Sequence, residues 1–112
     1  DGRITTLAGT GKAGNTGDGG KATEAALNGP KFLWIDRHGD VLIADTENHV
    51  IRKFIAAEGS IVRIAGTGKK GGGPPDEPPK TALARPHGVA EGPDGTLYIV
   101  DSENARVLKL VK

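Results

Sequence analysis

Residues 95–104 of this chain read GTLYIVDSEN, and residues 39–48 read GDVLIADTEN, which is the same pattern 56 positions earlier. Each stretch places a short apolar run between turn-forming residues, which is typical of a β-strand bounded by turns. A second pair also recurs, since ITTLAGTG at residues 4–11 returns as IVRIAGTG at residues 61–68. A period of 56 to 57 residues predicts a repeat architecture in which each unit stacks on its neighbours.

The composition limits the classes of partner that we expect. The 112 residues include 15 Lys and Arg and 14 Asp and Glu, with a formal net charge of +1. Nucleic acid and membrane surfaces attract clustered positive charge, so we expect neither as a partner. The chain has no Cys, which excludes disulfides and thiolate metal sites but leaves the cellular compartment open. The absence of Met and the start at Asp1 predict a processed, trimmed or excised chain.

Eight short segments have the composition of strands and the turn residues that separate strands. The predicted strands are residues 3–8, 31–36, 41–45, 50–55, 60–65, 87–91, 97–101 and 106–111. The turns between them contain Gly, Pro, Asp and Asn, which favour tight hairpins. We therefore expect an all-β chain of antiparallel meanders.

The eight strands divide unevenly between repeats. Residues 30–65 hold four strands and form one complete sheet, whereas residues 86–111 hold only three. Residues 3–8 correspond to a fourth, outermost strand with no preceding partner strands in the sequence. Residues 9–29 and 66–85 are long connections between the sheets, rich in Gly, Pro and charge, and we expect both to be surface excursions. The first of them includes residues 21–27, KATEAAL, which predict one or two helical turns.

Several predicted strands are apolar without alternation. FLWI at residues 32–35, VLIA at residues 41–44 and LYIV at residues 97–100 are continuous apolar runs. A strand has this pattern when both faces of its sheet are covered. Each four-stranded sheet should therefore lie between two others, as the blades of a β-propeller do.

The motifs of the second repeat resemble those of the NHL repeat, a β-propeller family. PHGVA at residues 86–90, DGTLYIVD at residues 94–101 and NARV at residues 104–107 carry this resemblance. The first repeat is similar but looser, with FLW at residues 32–34 where the family usually has Gly-Val-Ala. The resemblance covers essentially the whole of residues 1–112 and implies a single propeller segment with two blades. Family members usually close a ring with about six blades.

Two blades cannot close a ring, so we expect either a piece of a longer protein or an assembly of copies. In the assembly, residues 3–8 of one chain complete the last blade of a neighbouring chain and remove its exposed sheet edge. Three chains give six blades, which we favour, and four chains give eight. The expected subunit interface contains Ile4, Leu7, Val107, Leu108 and Leu110. An engineered or excised propeller fragment is a further interpretation.

Strand parity predicts that the long connections and the turns at residues 45–48 and 101–104 share one rim of the sheets. A ligand or protein site belongs on this loop-rich rim or in the axial channel. Asp45, Asp101, Asn48 and Asn104 could form a metal ring, but their recurrence favours a repeated structural turn. GDGG at residues 17–20 could cradle phosphate or calcium, although it lacks the other residues of either motif.

Metal-dependent enzymes of the six-bladed lactonase and lyase kind provide the alternative function. Here the candidates are His87, Glu91 and Asp36, with His87 as an axial metal ligand, but Lys31 holds the equivalent place in the other repeat and would repel a cation. RNA binding would rely on a thin basic surface at Lys12, Lys69 and Lys70. We expect Trp34 and Tyr98 to pack between blades, and His38 and His49 to be solvated.

These observations favour a non-enzymatic module that self-assembles into a ring and acts as a scaffold or as a platform for a protein or small ligand. We expect no catalytic residues, cofactor or bound metal. Fold resemblance alone does not carry function, because one fold can host many unrelated functions.

Overall fold

The computed structural model describes residues 2–111, so the first and last residues of the predicted 1–112 segment lie outside the described residues. Its seven strands are β1 (Phe32–Ile35), β2 (Val41–Asp45), β3 (Val50–Ile55), β4 (Ser60–Ala65), β5 (Gly88–Glu91), β6 (Leu97–Asp101) and β7 (Arg106–Leu110). The first sheet has the order β1-β2-β3-β4 and the second sheet the order β5-β6-β7, and every pairing is antiparallel. The predicted all-β class with sheets of four and three strands is confirmed.

Strands β2, β3, β4 and β6 have the predicted bounds, whereas β1, β5 and β7 are one or two residues shorter. Residues 3–8, predicted as a strand, do not form one within the single chain, and Ile4 is 99% exposed. The expected place of this segment is on a neighbouring chain, which a single chain does not test. Within residues 2–111 no helix is long and apolar enough to cross a bilayer.

One hydrophobic cluster joins the two sheets. Its members from the first sheet are Leu42, Ala44, Ile51 and Ala65, and those from the second sheet are Val89, Leu97 and Ile99. A second cluster covers the opposite face of the first sheet, where Val41, Ile43, Phe54 and Ile61 pack against residues of the first long loop. Strand β2 is therefore buried on both faces, as its unbroken apolar sequence predicts.

The long loops run over the surface for most of their length, as predicted, but part of each loop packs on the sheets. Ala22 and Ala25 of the first loop, and Leu83 of the second, are completely buried. The first loop contains a 3-10 turn at Ala22–Glu24 in place of the predicted one or two helical turns, and the second contains one at Pro78–Lys80. Small and apolar loop residues thus supply part of each core.

The hairpins between β2 and β3 and between β6 and β7 share one geometry. Each has a 3-10 turn, at Thr46–Asn48 and Ser102–Asn104, followed by a residue in the left-handed conformation. That residue is His49 in the first sheet and Ala105 in the second, with φ of 58° and 54°. The equivalence of these turns supports treating the two sheets as copies of one unit.

Candidate functional site

A buried acid holds the loop-rich rim of the second sheet together. Asp101 is fully buried, and its Oδ1 accepts a hydrogen bond from the backbone N–H of Ala84 at 2.8 Å. Its Oδ2 accepts from Asn104 Nδ2 and from Arg106 Nε, both at 2.8 Å. Arg106 also donates to carbonyl groups of the second long loop, at Gly73 and at residue 82. This Asp-Asn-Arg cluster clamps the loop to the sheet.

The first sheet contains the same cluster. Asp45 accepts from the Asn28 backbone N–H at 2.8 Å, from Asn48 Nδ2 at 2.9 Å and from Arg52 Nη1 at 3.2 Å. With the 56-residue shift, Arg106 corresponds to residue 50, so Arg52 stands two positions further along its strand than Arg106 does. The register of β3 with β4 shifts beside Arg52, between Ile51 and Arg52. The two-residue step keeps the guanidinium on the same face of the strand and lets it reach the same acid.

These clusters satisfy the acids and amides that could have formed a metal ring. Asn48 donates to the Gly14 carbonyl and Asn104 to the Gly71 carbonyl, each at 2.7 Å. Each Asp faces a guanidinium, which supplies the positive charge that a metal would otherwise bring. The bonding supports the interpretation of a repeated structural turn. It also brings the long loops and the hairpin turns to one rim, as strand parity predicts.

An ion network joins the two sheets at this rim. Arg85, with a φ of 47°, donates to Glu47 of the first sheet at 2.7 Å and to Glu103 of the second at 2.8 Å. Lys70 pairs with Glu103 at 2.8 Å. The backbone N–H of Arg85 also donates to His49 Nδ1 at 3.0 Å. His49 is thus an inter-sheet contact, and the prediction that it is solvated is wrong.

The network shifts the pKa values of its members. Hydrogen bonds from Arg85 and then from Lys70 lower the pKa of Glu103 to about 2. The side-chain hydrogen bond from Arg85 likewise lowers the pKa of Glu47. Glu47 and Glu103 together raise the pKa of Arg85. The three groups therefore stay charged through the neutral pH range. Lys70, a candidate for RNA contact, is paired with Glu103 in this network.

The enzyme candidates do not converge. Glu91 lies near Asp36, because Glu91 Oε1 accepts a hydrogen bond at 2.9 Å from the backbone N–H of Arg37, the residue that follows Asp36. His87 precedes β5 and Glu91 ends it, so about 13 Å of extended strand separates them. His87 Nδ1 donates to the carbonyl of Arg85 at 2.7 Å. In the described part of the chain, no group of three or more His, Cys, Asp or Glu is placed to hold a metal.

Asp36 has a structural environment of its own. Burial raises the pKa of this carboxyl, but backbone hydrogen bonds from Asp40 and His38 and the charge of Lys53 outweigh burial and lower it. Its Oδ1 accepts from both backbone N–H groups, and its Oδ2 lies 3.5 Å from Lys53 Nζ. These contacts organise the β1–β2 turn. His38, in the same turn, is exposed as predicted.

The GDGG segment at residues 17–20 is also used structurally. Gly19 N–H donates to the Ile61 carbonyl at 2.7 Å, and the Gly20 carbonyl accepts from Ile61 N–H at 3.1 Å. Asp18 Oδ1 accepts from Arg52 Nε at 3.1 Å. The segment therefore adds backbone pairing to the outer edge of β4, and its amides do not converge on an anion.

Two outward sheet faces carry exposed apolar side chains. The trailing face, on the second sheet, consists of Tyr98, Val100 and Val107, which are 42%, 44% and 67% exposed. The leading face, on the first sheet, lines a groove of about 620 Å³. The apolar residues of this groove are Leu7, Leu27, Phe32, Leu33, Val41 and Ile43. An antiparallel sheet that leaves such a face in water loses the burial that stabilises it.

The predicted interface residues divide between exposed and half-buried positions. Ile4 is 99%, Leu7 49% and Val107 67% exposed. Leu108 and Leu110 lie on the other face of β7, half-buried against the cluster between the sheets. Trp34 pairs with Leu42 in register and is 38% exposed on the edge strand β1. Tyr98 belongs to the trailing face, so its packing between blades stays a prediction.

Known proteins share both the sequence pattern and the architecture. Residues 83–110 match the model of the NHL repeat. Protein SUPPRESSOR OF QUENCHING 1, chloroplastic, from Arabidopsis thaliana is 38% identical over 111 residues, covering 96% of this chain. Teneurin-1 from Mus musculus is 34% identical over 106 residues, covering 81% of this chain. The chain spans only 10% and 4% of the length of these two relatives.

Two solved structures from Bacteroides thetaiotaomicron have the same fold over most of the chain. A structural genomics protein of unknown function has a TM-score of 0.78 at 20% identity, over 91% of this chain and 26% of its own. An auxiliary nutrient binding protein has a TM-score of 0.76 at 22% identity, over 92% of this chain and 27% of its own. These structures share the fold. The repeat match, together with the relatives that are 38% and 34% identical, shows that the chain belongs to the NHL-repeat family.

Proposed function

We propose that the chain is a propeller-blade module that associates head to tail with copies of itself into a closed ring. The ring acts as a structural scaffold, and its loop-rich rim is a platform for a protein or small ligand. We favour three chains and six blades, with four chains and eight blades as the alternative ring. The proposal is supported by a comparison of the two outward faces with the interface already present between the two sheets.

The internal interface supports the proposed match between the two outward faces. With a shift of 56 residues, the first-sheet positions of Leu42, Ala44 and Ile51 correspond to Tyr98, Val100 and Val107 of the second sheet. The first three are 1%, 0% and 0% exposed because the second sheet covers them. Their three counterparts form the exposed trailing face. The trailing face is therefore the kind of surface that packs against a following sheet in this same chain.

The leading face is the matching surface. The same shift converts Val89, which is 2% exposed between the sheets, into Leu33, which is 56% exposed on the first sheet. The leading face of one copy can thus meet the trailing face of another in the arrangement that β5 and β6 adopt against the first sheet. Such a contact is heterologous, and it closes a ring when the rotation per chain divides the full turn.

A polar contact of the internal interface has a counterpart as well. Thr46 Oγ1 donates to the Pro86 carbonyl at 2.7 Å, from the first sheet to the second. The equivalent residues are Ser102 and Pro30. Ser102 keeps the hydroxyl, so it can donate to the Pro30 carbonyl of the next copy. The apolar match and this proposed hydrogen bond both support the same relative placement of the two copies.

The loop-rich rim suits a binding role because it is held rigidly. The Asp-Asn-Arg clusters fix both long loops, and the Arg85 network fixes one sheet against the other. Loops that a rigid scaffold positions are the usual place for recognition. In a ring, the rims of all copies would face the same side and repeat the same loops around the axis.

The concentration dependence of thermal unfolding tests the assembly. If folding is coupled to association, the unfolding temperature rises as the protein concentration rises, because mass action favours the associated folded state. We expect an increase over a hundredfold concentration range, with Val100→Lys as a variant that removes the dependence. An unfolding temperature that is independent of concentration for the unaltered chain would contradict the proposal.

A further inference from the structure

We infer that residues 3–8 of one copy add to β7 of a second copy and become the fourth strand of its second sheet. This inference rests on the ring assembly proposed above and specifies how neighbouring copies join. In the described part of the chain β7 is bonded to β6 on one side, and its other edge forms the border of the second sheet. Such an edge is a template for a further strand.

The pairing of β3 with β4 in the first sheet provides the template. Phe54 lies opposite Ile61, Lys53 opposite Val62, and Ile51 opposite Ala65. β7 corresponds to β3 with a shift of 56 residues, and residues 4–8 correspond to residues 61–65 with a shift of 57. Transferring the register places Ile4 opposite Leu110, Thr5 opposite Lys109 and Ala8 opposite Val107.

A groove beside β7 is lined by residues that correspond to the surroundings of Ile61 in the first sheet. The groove has a volume of about 430 Å³, and its lining includes Pro78, Thr81, Ile99 and Leu110. Their counterparts in the first sheet are Ala22, Ala25, Ile43 and Phe54, which belong to the cluster that contains Ile61. Ile61 is 0% exposed there, whereas Ile4, its counterpart, is 99% exposed. Ile4 of a second copy can fill the groove as Ile61 fills its own site.

The polar groups along the groove agree with this register. Lys21 and Ser60 form an isolated antiparallel β-bridge through their backbones in the first sheet. The corresponding residues are Glu77 and Arg3, whose side chains have opposite charges. Ile61 N–H donates to the Gly20 carbonyl at 3.1 Å, and the counterpart acceptor is the carbonyl of Asp76. The counterpart of the Gly19 donor is Pro75, which has no N–H, so the donated strand makes one backbone hydrogen bond fewer than β4.

The attachment of residues 3–8 favours a second copy as the acceptor. Gly9 N–H donates to the Ala22 carbonyl at 2.9 Å, and residue 8 packs on the leading side of the first sheet. The N-terminal residues therefore extend away from the first sheet beside Leu7, at the leading face. In the proposed ring, this face meets the trailing face of a neighbour. In the proposed ring, the neighbour's β7 lies next to this leading face, because β7 carries Val107 of the trailing face. The chain's own β7 belongs to the second sheet, which packs on the opposite face of the first sheet.

A cysteine pair tests the register, since the chain has no Cys of its own. In the double variant Thr5→Cys with Lys109→Cys, the two thiols lie directly opposite each other on one face of the new strand pair, within disulfide range. We expect oxidation to give chains linked between copies, and reductant to reverse it. The matched control is Thr6→Cys with Lys109→Cys, in which the side chain of residue 6 points to the opposite face, and we expect at least tenfold less linked product.

The mass of the reduced double variant, measured by light scattering, separates the two proposals. An oligomeric mass without linked chains would overturn the strand addition and leave the ring standing. A folded single-chain mass would contradict the ring and the strand addition together. A disulfide within one chain would show that residues 3–8 return to their own β7, which also overturns the inference. As a second variant, Ile4→Asp alters a side chain that is 99% exposed in the single chain, so its folding should persist while the oligomer is lost.

Discussion

Val107→Asp should prevent the proposed ring assembly while leaving the single chain folded. Val107 is 67% exposed on the trailing face, and its counterpart Ile51 is 0% exposed between the two sheets. Full burial of a valine side chain is worth about 1.5–3 kcal/mol, so burying the exposed two-thirds contributes about 1–2 kcal/mol to each interface. The variant loses this contribution and also places an unpaired carboxylate in the interface, which costs several kcal/mol more.

The combined loss is at least about 4 kcal/mol for each interface, which is about a thousandfold in Kd. We expect sedimentation velocity at micromolar protein to show single chains of 11.5 kDa for Val107→Asp, with the circular dichroism spectrum of the unaltered protein. Ala57→Asp is the matched control, because it makes the same kind of change in the exposed turn between β3 and β4. If Val107→Asp sediments like Ala57→Asp and the unaltered chain, the proposed role of the trailing face is refuted.

Three further predictions concern the single chain. Asp101→Asn puts an amide against the donors that face Oδ2 and should lower the free energy of unfolding by about 2–4 kcal/mol in urea titration. Gly66→Ala should cost more than Gly59→Ala in the same titration, because both have positive φ but only at Gly66 would a Cβ collide with a neighbouring backbone carbonyl. Since the pKa of Glu103 is lowered to about 2, its link to Arg85 adds stability above about pH 4.5 that is lost as the pH falls toward 2, and Glu103→Gln should flatten the pH dependence of thermal unfolding in that window.

The strands were predictable because local signals agree with one another. β2 and β6 each follow a turn and end at an acidic residue, and the unbroken apolar run of β2 correctly indicates a strand buried on both faces. The same reasoning applied to β6 needs a second covered face, which the single chain does not supply. The apolar pattern of a strand indicates that both of its faces are buried, but it does not indicate whether the same chain or another one covers them.

The rim was harder to predict because its contacts are distant in the sequence. Arg52 donates to the Thr16 carbonyl 36 residues away, and its equivalence with Arg106 is hidden by a shift of two positions. His49 contacts Arg85 only because the two sheets meet at that corner. The packed residues of the first long loop did leave a signal in the sequence. The buried Ala22 and Ala25 and the half-buried Leu27 form an apolar set that a solvated loop would not need.

The central claim is that the apolar faces at the two ends of this chain are covered by copies of the same chain. Native mass spectrometry of the unaltered protein at micromolar concentration tests it most directly. If the faces are covered in this way, the protein forms a closed assembly of three times 11.5 kDa, or of four times that mass if the ring has eight blades. A folded species of 11.5 kDa that persists as the concentration increases, with no closed assembly, would contradict it.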